Sequence, residues 1–156
     1  MNNIKWLYKR FNELNNIELY ALLRLRSDVF VVEQNCVYAD IDNKDIIDDV
    51  IHILAYAINS DEIVACARCL APSVSYNGCS IGRVAVHRSF RGEGIARTLM
   101  NKAVNTCQEQ WPKKDIEIGA QLYLQSFYES VGFKQSSEPY DEDGIMHLDM
   151  KLATLA

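Results

Sequence analysis

An arginine and two glycines lie between an apolar run and a helical pattern, in segment 90–97 with the sequence FRGEGIAR. A helix N-terminus leaves several backbone N–H groups unpaired and carries partial positive charge. Gly92 and Gly94 would let an anion approach those groups, and Arg91 adds a full positive charge. The segment predicts a phosphate or diphosphate site, with a plain glycine turn beside an exposed arginine as the alternative.

Two nucleotide-binding fingerprints fit this segment poorly. The sequence has no G-x-x-x-x-G-K-S/T motif, which excludes the phosphate loop of nucleotide hydrolases. A dinucleotide fold requires a third glycine where Arg97 stands, and it places the motif in the first β-α-β unit. Here the motif follows the fourth predicted strand, so a dinucleotide-dependent oxidoreductase is a distant alternative.

Charge is distributed unevenly along the chain. The net charge is −5, which argues against a broad nucleic-acid surface. Segment 80–102 is nevertheless basic, whereas segments 27–62 and 138–149 are rich in aspartate and glutamate. A basic island in an acidic chain predicts one anionic ligand and a cationic second ligand. A solvated acidic face is the alternative explanation.

The length of 156 residues predicts one domain, residues 1–156, with a sizeable core. The composition, 49% hydrophobic and 24% charged, is that of a soluble globular protein. Apolar runs are too short to span a membrane, and no cationic leader precedes one. Five scattered cysteines indicate a reducing compartment, so we expect a cytoplasmic protein without a membrane partner.

Metal chemistry is not expected. Cys66 and Cys69 have C-x-x-C spacing, but residues three apart on a strand point to opposite faces. Segment 40–45 lacks the glycine and the terminal glutamate of a calcium loop.

Hydrophobic periodicity predicts the element order β-α-β-β-β-α-β-α-β-β. A first helix runs from Ile17 to about Val32, and a long polar loop follows at 33–50. A second amphipathic helix covers Gly94 to Gln110, and a third is closed by Gly132. An antiparallel first half joined to a second half with helical crossovers indicates an α/β (α+β) fold with a mixed, mostly antiparallel sheet.

The residues that carry the phosphate prediction also carry a family resemblance. Residues 91–96, RGEGIA, satisfy Q/R-x-x-G-x-G/A, and the chain resembles the GNAT superfamily of acetyl-coenzyme A-dependent N-acetyltransferases. The segment SFYESVGF is similar to its second hallmark, and LRSDVFVVEQNCVYADID, IGRVAVHRSFRGEGIA, GAQLYLQSFYESVGF and YDEDGIMHLDM resemble the ElaA-type subgroup. The resemblance implies a central sheet of about seven strands flanked by helices. It also implies that the diphosphate bound at the glycine loop is that of coenzyme A.

The same resemblance implies where the cofactor would bind. The strand before the loop should diverge from its neighbour, so that the Val84 N–H faces the thioester oxygen and Val86 bonds pantetheine. Gln121 lies where many relatives have an asparagine. The implied cofactor-binding residues are Val84, Ala85, Val86, Arg91, Gly92, Glu93, Gly94, Ile95, Ala96, Arg97 and Gln121.

The resemblance further implies direct attack of a primary amine on the acetyl thioester, with no metal. An alkyl amine has a pKa of about 10, so reaching its neutral form costs about 4 kcal/mol near neutral pH. Tyr128, placed like the superfamily's tyrosine, is the expected acid, and Glu33 is the leading candidate for the base. The acceptor side is expected to include Asp42, Asp45, His52 and His147, and the two histidines are also alternatives for the base.

We therefore expect an N-acetyltransferase that acts on an amine, with a non-catalytic acyl-coenzyme A sensor as the alternative. Neither a small metabolite nor a protein lysine is preferred as acceptor. Tyr123 and Met146 stand where the subgroup often has histidine and proline, so the acceptor pocket is the part most open to difference. Analogy at the level of the fold suggests a homodimer.

Overall fold

The computed structural model describes residues 3–154. Its central element is a single sheet of eight strands. The strands are β1 (Ile4–Lys9), β2 (Ile51–Ala57), β3 (Glu62–Leu70), β4 (Cys79–Val86), β5 (Ile116–Gln121), β6 (Lys134–Gln135), β7 (Tyr140–Glu142) and β8 (Ile145–Leu152). The helices are α1 (Asn16–Arg26), α2 (Ile95–Gln110) and α3 (Gln125–Ser130), with a π-helical segment at Ser27–Glu33 and 3-10 turns at Phe11–Glu13, Arg88–Phe90 and Leu122–Leu124.

The strand order is β1-β2-β3-β4-β5-β8-β6, with β7 pairing to β8. Every pairing within residues 3–154 is antiparallel except that of β4 with β5. The predicted mixed, mostly antiparallel fold and its order of elements are confirmed. The three-residue strand β7 was not predicted, because so short a segment shows no hydrophobic alternation.

Helices α1 and α2 pack against opposite faces of the sheet. Neighbouring residues Ile53 and Leu54 are both fully buried but belong to different apolar clusters, because successive strand side chains point to opposite faces. Leu54 packs in the cluster that contains Leu22 of α1. Ile53 packs in the larger cluster that contains Leu99 and Ala103 of α2. The predicted amphipathic pattern of the second helix is therefore the pattern that anchors α2 to the core.

Helix α1 begins with a capping box and ends in a wider turn. The Asn15 side chain accepts a hydrogen bond from the Glu18 N–H, and the Glu18 carboxylate accepts one from the Asn15 N–H. The helix continues without a break into the π-helical segment and stops at Glu33, where the polar loop begins. This confirms the expected extent of the first helix and brings Glu33 towards the end of β4.

Strands β4 and β5 diverge after a short parallel contact. They pair only at Cys79 with Ile116 and at Ser80 with Glu117. Farther along, β4 contains a bulge against β3, at which Arg83 has a φ of 49°. Strand β5 continues instead along β8. A wedge-shaped opening results, and it widens towards the start of α2.

Candidate active site

The opening between β4 and β5 forms a cleft of ≈ 1320 Å³. One end is bordered by Gly92, Gly94 and the first turn of α2. The other end is bordered by the 34–50 loop, by Tyr76 and by the β7–β8 hairpin. The cleft therefore joins the predicted anion site to the acidic part of the chain.

The start of α2 is open to a ligand. Gly94 is the N-cap residue with a φ of 79°, and Gly92 has a φ of 82°. A Cβ added at either glycine would meet no protein atom within 4 Å among the described residues. The glycines are therefore required by their backbone conformation rather than by crowding, and the space in front of the helix amides is accessible to an anion.

Arg91 does not extend freely towards this space. Its Nε donates to the Val86 carbonyl at 3.0 Å, and its two terminal nitrogens bond both carboxylate oxygens of Glu33 at 2.5 and 2.8 Å. The hydrogen bond and the charge of Arg91 lower the pKa of Glu33. A carboxylate held in this way is a weaker proton acceptor, so the structure argues against Glu33 as the base.

The diverging part of β4 offers backbone groups to the cleft. Val84 and Val86 are half-buried and border it, as the predicted thioester and pantetheine contacts require. Ala85 is 2% exposed and packs in the cluster beneath α1. Gln121 also borders the cleft, where its amide exchanges hydrogen bonds of 3.2 Å with Gln34.

Tyr128 reaches the cleft from α3. The side chain is 9% exposed and makes edge-to-face contacts with Phe127 and Phe133. Burial, together with the nearby Tyr123, raises the pKa of Tyr128 to about 12. The phenol therefore stays protonated near neutral pH, and it is a stable hydrogen-bond donor.

The acidic loop is held by a buried ion-pair network rather than left open for an amine. The network consists of three arginine and three aspartate side chains: Arg26, Arg68, Arg83, Asp40, Asp42 and Asp45. Asp45 is 5% exposed and bonds Arg26 at 2.7 Å and Arg68 at 3.0 Å. Asp42 bonds Arg68 at 2.9 Å and Arg83 at 3.2 Å.

This network argues against the expectation that Asp42 and Asp45 bind the acceptor, because both carboxylates are already paired with arginines. The opposite charges balance within the network, so its net attraction for an ammonium group is small. Its role is to fix the 34–50 loop against α1, β3 and β4, and thereby to shape one wall of the cleft.

His52 is also not at the acceptor site. The side chain is 1% exposed on β2, and its Nε2 lies 3.0 Å from the Asp45 carbonyl oxygen. Burial lowers its pKa. His52 contacts the 34–50 loop through the Asp45 backbone and is buried away from the cleft. This position corrects its expected role as a substrate-binding residue.

His147 does border the cleft, and its ring orientation is fixed. Its Nδ1 lies 2.8 Å from the Ile145 carbonyl oxygen, and its Nε2 lies 3.4 Å from Glu142 Oε2. A carbonyl oxygen only accepts hydrogen bonds, so Nδ1 carries the proton and Nε2 of the neutral ring carries the lone pair. Tyr140 stacks on the ring, with centroids 6.1 Å apart and planes 20° apart.

A carboxylate that sequence reasoning did not single out lies in the same part of the cleft. Asp149 Oδ1 accepts hydrogen bonds from the hydroxyls of Tyr140 at 2.7 Å and Tyr76 at 3.1 Å. Gly119 faces this group, since a Cβ there would come within 3.0 Å of the Tyr76 hydroxyl. Asp149 follows His147 by two positions on a strand, a spacing that places both on one face, and this was the available signal.

Within residues 3–154, no cluster of three or more histidine, cysteine or acidic side chains is arranged to hold a metal ion. The five cysteines are buried thiols without disulfide partners. In the same part of the chain, no helix combines the length and apolarity needed to cross a bilayer.

Comparison with known proteins agrees with this geometry. Residues 31–154 match the model of the acetyltransferase (GNAT) domain, and the chain belongs to this family. It is 47% identical over 147 residues to Protein ElaA of Escherichia coli strain K12, covering 94% of this chain and 95% of that protein.

Two crystal structures show the same likeness in three dimensions. The structure of Escherichia coli ElaA has a TM-score of 0.89 at 46% identity, covering 96% of this chain and 99% of that one. An acyl-CoA N-acyltransferase from Pseudomonas aeruginosa has a TM-score of 0.90 at 37% identity, covering 97% of this chain and 100% of that one. The mixed sheet with its diverging strands is therefore the acyltransferase fold of this family.

Proposed function

We propose that the protein transfers the acetyl group of acetyl-coenzyme A to a primary amine by direct attack in a ternary complex. The observation that carries this proposal is the divergence of β4 and β5 beside the open, glycine-bordered start of α2. Membership of the GNAT family supports an acyl-coenzyme A co-substrate. The thioester and the amine would both bind in the resulting cleft, where they can react.

The chain offers backbone and side-chain groups for the pyrophosphate, the pantetheine and the thioester of coenzyme A. The pyrophosphate would bind the amides of residues 92–97, where the helix end favours negative charge. Pantetheine would lie along β4 and contact the backbone of Val86 and the side chain of Gln121. The Val84 N–H would stabilise the oxyanion that forms when the amine attacks.

We assign the base to His147 rather than to Glu33. The Nε2 lone pair of His147 is directed away from the Ile145 carbonyl, whereas Glu33 is occupied by Arg91. The neutral amine costs about 4 kcal/mol near neutral pH, and His147 would lower that cost by accepting the ammonium proton at Nε2 as the amine attacks. Glu142, at 3.4 Å from Nε2, would stabilise the imidazolium that results.

Tyr128 would assist departure of the sulfur. A phenol with a pKa of about 12 is a weaker acid than a thiol, whose usual pKa is about 8.5. Complete proton transfer to the thiolate is therefore unfavourable, and Tyr128 instead stabilises the leaving sulfur by donating a hydrogen bond. No acyl-cysteine intermediate is needed, because the cysteines among the described residues are buried.

The direct test is release of free coenzyme A, followed with a thiol-reactive dye, in the presence of acetyl-coenzyme A and a panel of primary amines. Amines with one charged group, diamines, amino sugars and lysine peptides cover the acceptor classes. Amine-dependent release, with mass spectrometric detection of the N-acetyl product, supports the proposal. Tight binding of acetyl-coenzyme A without turnover on any amine would favour the sensor instead.

A further inference from the structure

Asp149 is held in a defined orientation at the acceptor end of the cleft. Both tyrosine hydroxyls bond its Oδ1, and Oδ2 accepts no hydrogen bond from the residues that the structure describes. Asp149 lies opposite Gly119 in the β5–β8 pairing, and the absence of a side chain at Gly119 makes room for the two phenol hydroxyls that bond Asp149. Oδ1 thus links β8 to β7 and to the β3–β4 loop, and Oδ2 is left for a ligand.

The charges around Asp149 leave it without a cationic partner. Glu33 and Asp42, which also line the cleft, are paired with arginines. The ion pairs found within residues 3–154 do not include Asp149. Lys44 reaches the cleft but donates to the Ser75 hydroxyl at 2.7 Å. A ligand ammonium group would supply the missing positive charge.

The two tyrosines suit such a ligand. Burial and the negative charge of Asp149 raise the pKa of both Tyr76 and Tyr140, so their hydroxyls remain donors to the carboxylate. Donation to Oδ1 fixes the carboxylate plane and directs its other oxygen elsewhere.

Asp149 lies at a defined distance from the proposed base. The Cα atoms of His147 and Asp149 lie two positions apart on β8, about 7 Å along the strand, and both side chains leave the same face. Tyr140 spans this interval, since its ring stacks on His147 and its hydroxyl bonds Asp149. An extended chain of four or five carbons separates its two terminal nitrogens by about 6 to 8 Å, which matches the interval.

We propose that the acceptor is a flexible diamine, whose reacting nitrogen lies at His147 and whose second, charged nitrogen binds Asp149 between Tyr76 and Tyr140. This inference rests on the proposed acetyltransferase function and specifies its substrate class. A monoamine would reach the reacting position but leave Asp149 unpaired. A diamine that is too short would leave the second ammonium group away from the carboxylate.

The test is kcat/KM for a series from 1,2-diaminoethane to 1,8-diaminooctane, with butylamine as the monoamine, for the wild type and Asp149→Asn. The wild type should show an optimum at 1,4-diaminobutane or 1,5-diaminopentane, about 10- to 100-fold above butylamine. Asp149→Asn should remove this advantage, chiefly through a higher KM for the diamines. Asp61→Asn, in the exposed β2–β3 turn, is the matched control and should behave as the wild type.

The outcomes separate this inference from the function on which it rests. Equal kcat/KM for butylamine and the diamines, or an Asp149→Asn variant that keeps the preference, would overturn the diamine subsite while acetyl transfer stands. Failure of every amine to release coenzyme A would overturn both. Tyr140→Phe keeps the ring and removes one hydrogen bond to Asp149, so it should reduce the diamine advantage in part, whether or not Asp149→Asn folds well.

Discussion

Arg91 and Glu33 form a two-pronged ion pair that joins the glycine loop to the end of the π-helical segment, with nitrogen–oxygen distances of 2.5 and 2.8 Å. The same arginine also bonds the Val86 carbonyl at the end of β4. The pair thus holds three segments together at the mouth of the cleft. Arg91 therefore helps to hold the glycine loop in shape, and Glu33 holds Arg91 in place.

Glu33→Gln tests this support role. We expect the acidic limb of the pH profile of kcat to persist, because the proton acceptor is still present. The KM for acetyl-coenzyme A should change instead, since the loop loses an anchor. Initial rates across a pH series measure both effects, and a flattened acidic limb would return Glu33 to the role of base.

His147→Gln tests the base itself. General base catalysis contributes about 100- to 10,000-fold, so kcat should fall by at least the lower figure. The acidic limb should also flatten, because the variant lacks the proposed proton acceptor. Glu33→Gln, measured in parallel, is the comparison that retains the histidine. A His147→Gln variant with a wild-type pH profile would exclude the assignment.

Tyr128→Phe tests the donor to the leaving sulfur. We expect kcat to fall by about tenfold or more, with little change in the KM for acetyl-coenzyme A. The hydroxyl makes no hydrogen bond to the residues that the structure describes, so the melting temperature should stay close to that of the wild type. Unchanged turnover would remove Tyr128 from the mechanism.

Asp45→Asn tests the buried network. Removing one partner leaves Arg26 and Arg68 with an uncompensated buried charge, which typically costs about 3 to 5 kcal/mol. Asp49→Asn is the control, because the Asp49–Arg10 pair is exposed and such pairs contribute about 1 kcal/mol or less. Urea unfolding measures both free energies, and equal losses in the two variants would contradict the structural role.

The acid limit of stability should depend on Asp42. Burial alone would raise its pKa, but hydrogen bonds and charge from Arg68 outweigh burial and lower it to about 2. The unfolded pKa is about 3.9, so this contribution is present above that pH and is lost as pH falls towards 2. The melting temperatures of the wild type and Asp42→Asn should therefore converge in acid, and a constant difference would contradict the shift.

Local patterns predicted the elements and the glycine loop, because hydrophobic period and turn chemistry depend on near neighbours. The helical pattern at 94–110 and the RGEGIA motif both lie within one short segment. The partners of the acidic residues could not be predicted in this way. Arg83 and Asp42 are 41 positions apart, and Tyr76 and Asp149 are 73 positions apart, so only the completed sheet brings them together.

The same limitation explains why the sequence predicts an acceptor site at the acidic loop. A run of aspartates resembles a cation site until its arginines are known, and these come from α1, β3 and β4. Asp149 was the less conspicuous acid, since it lies alone on a strand. Its importance follows from the register that places it opposite Gly119 and beside two phenols.

The most direct measurement of the central claim is calorimetric titration of acetyl-coenzyme A into the wild type and Gly94→Val. Gly94→Val places a branched side chain at a φ of 79°, in the space before the helix amides, so binding should weaken by about tenfold or more. Gly144→Val, at a φ of 85° in the β7–β8 turn, carries matched strain and should bind as the wild type. A folded wild-type protein that gives no binding heat at millimolar acetyl-coenzyme A would contradict the account.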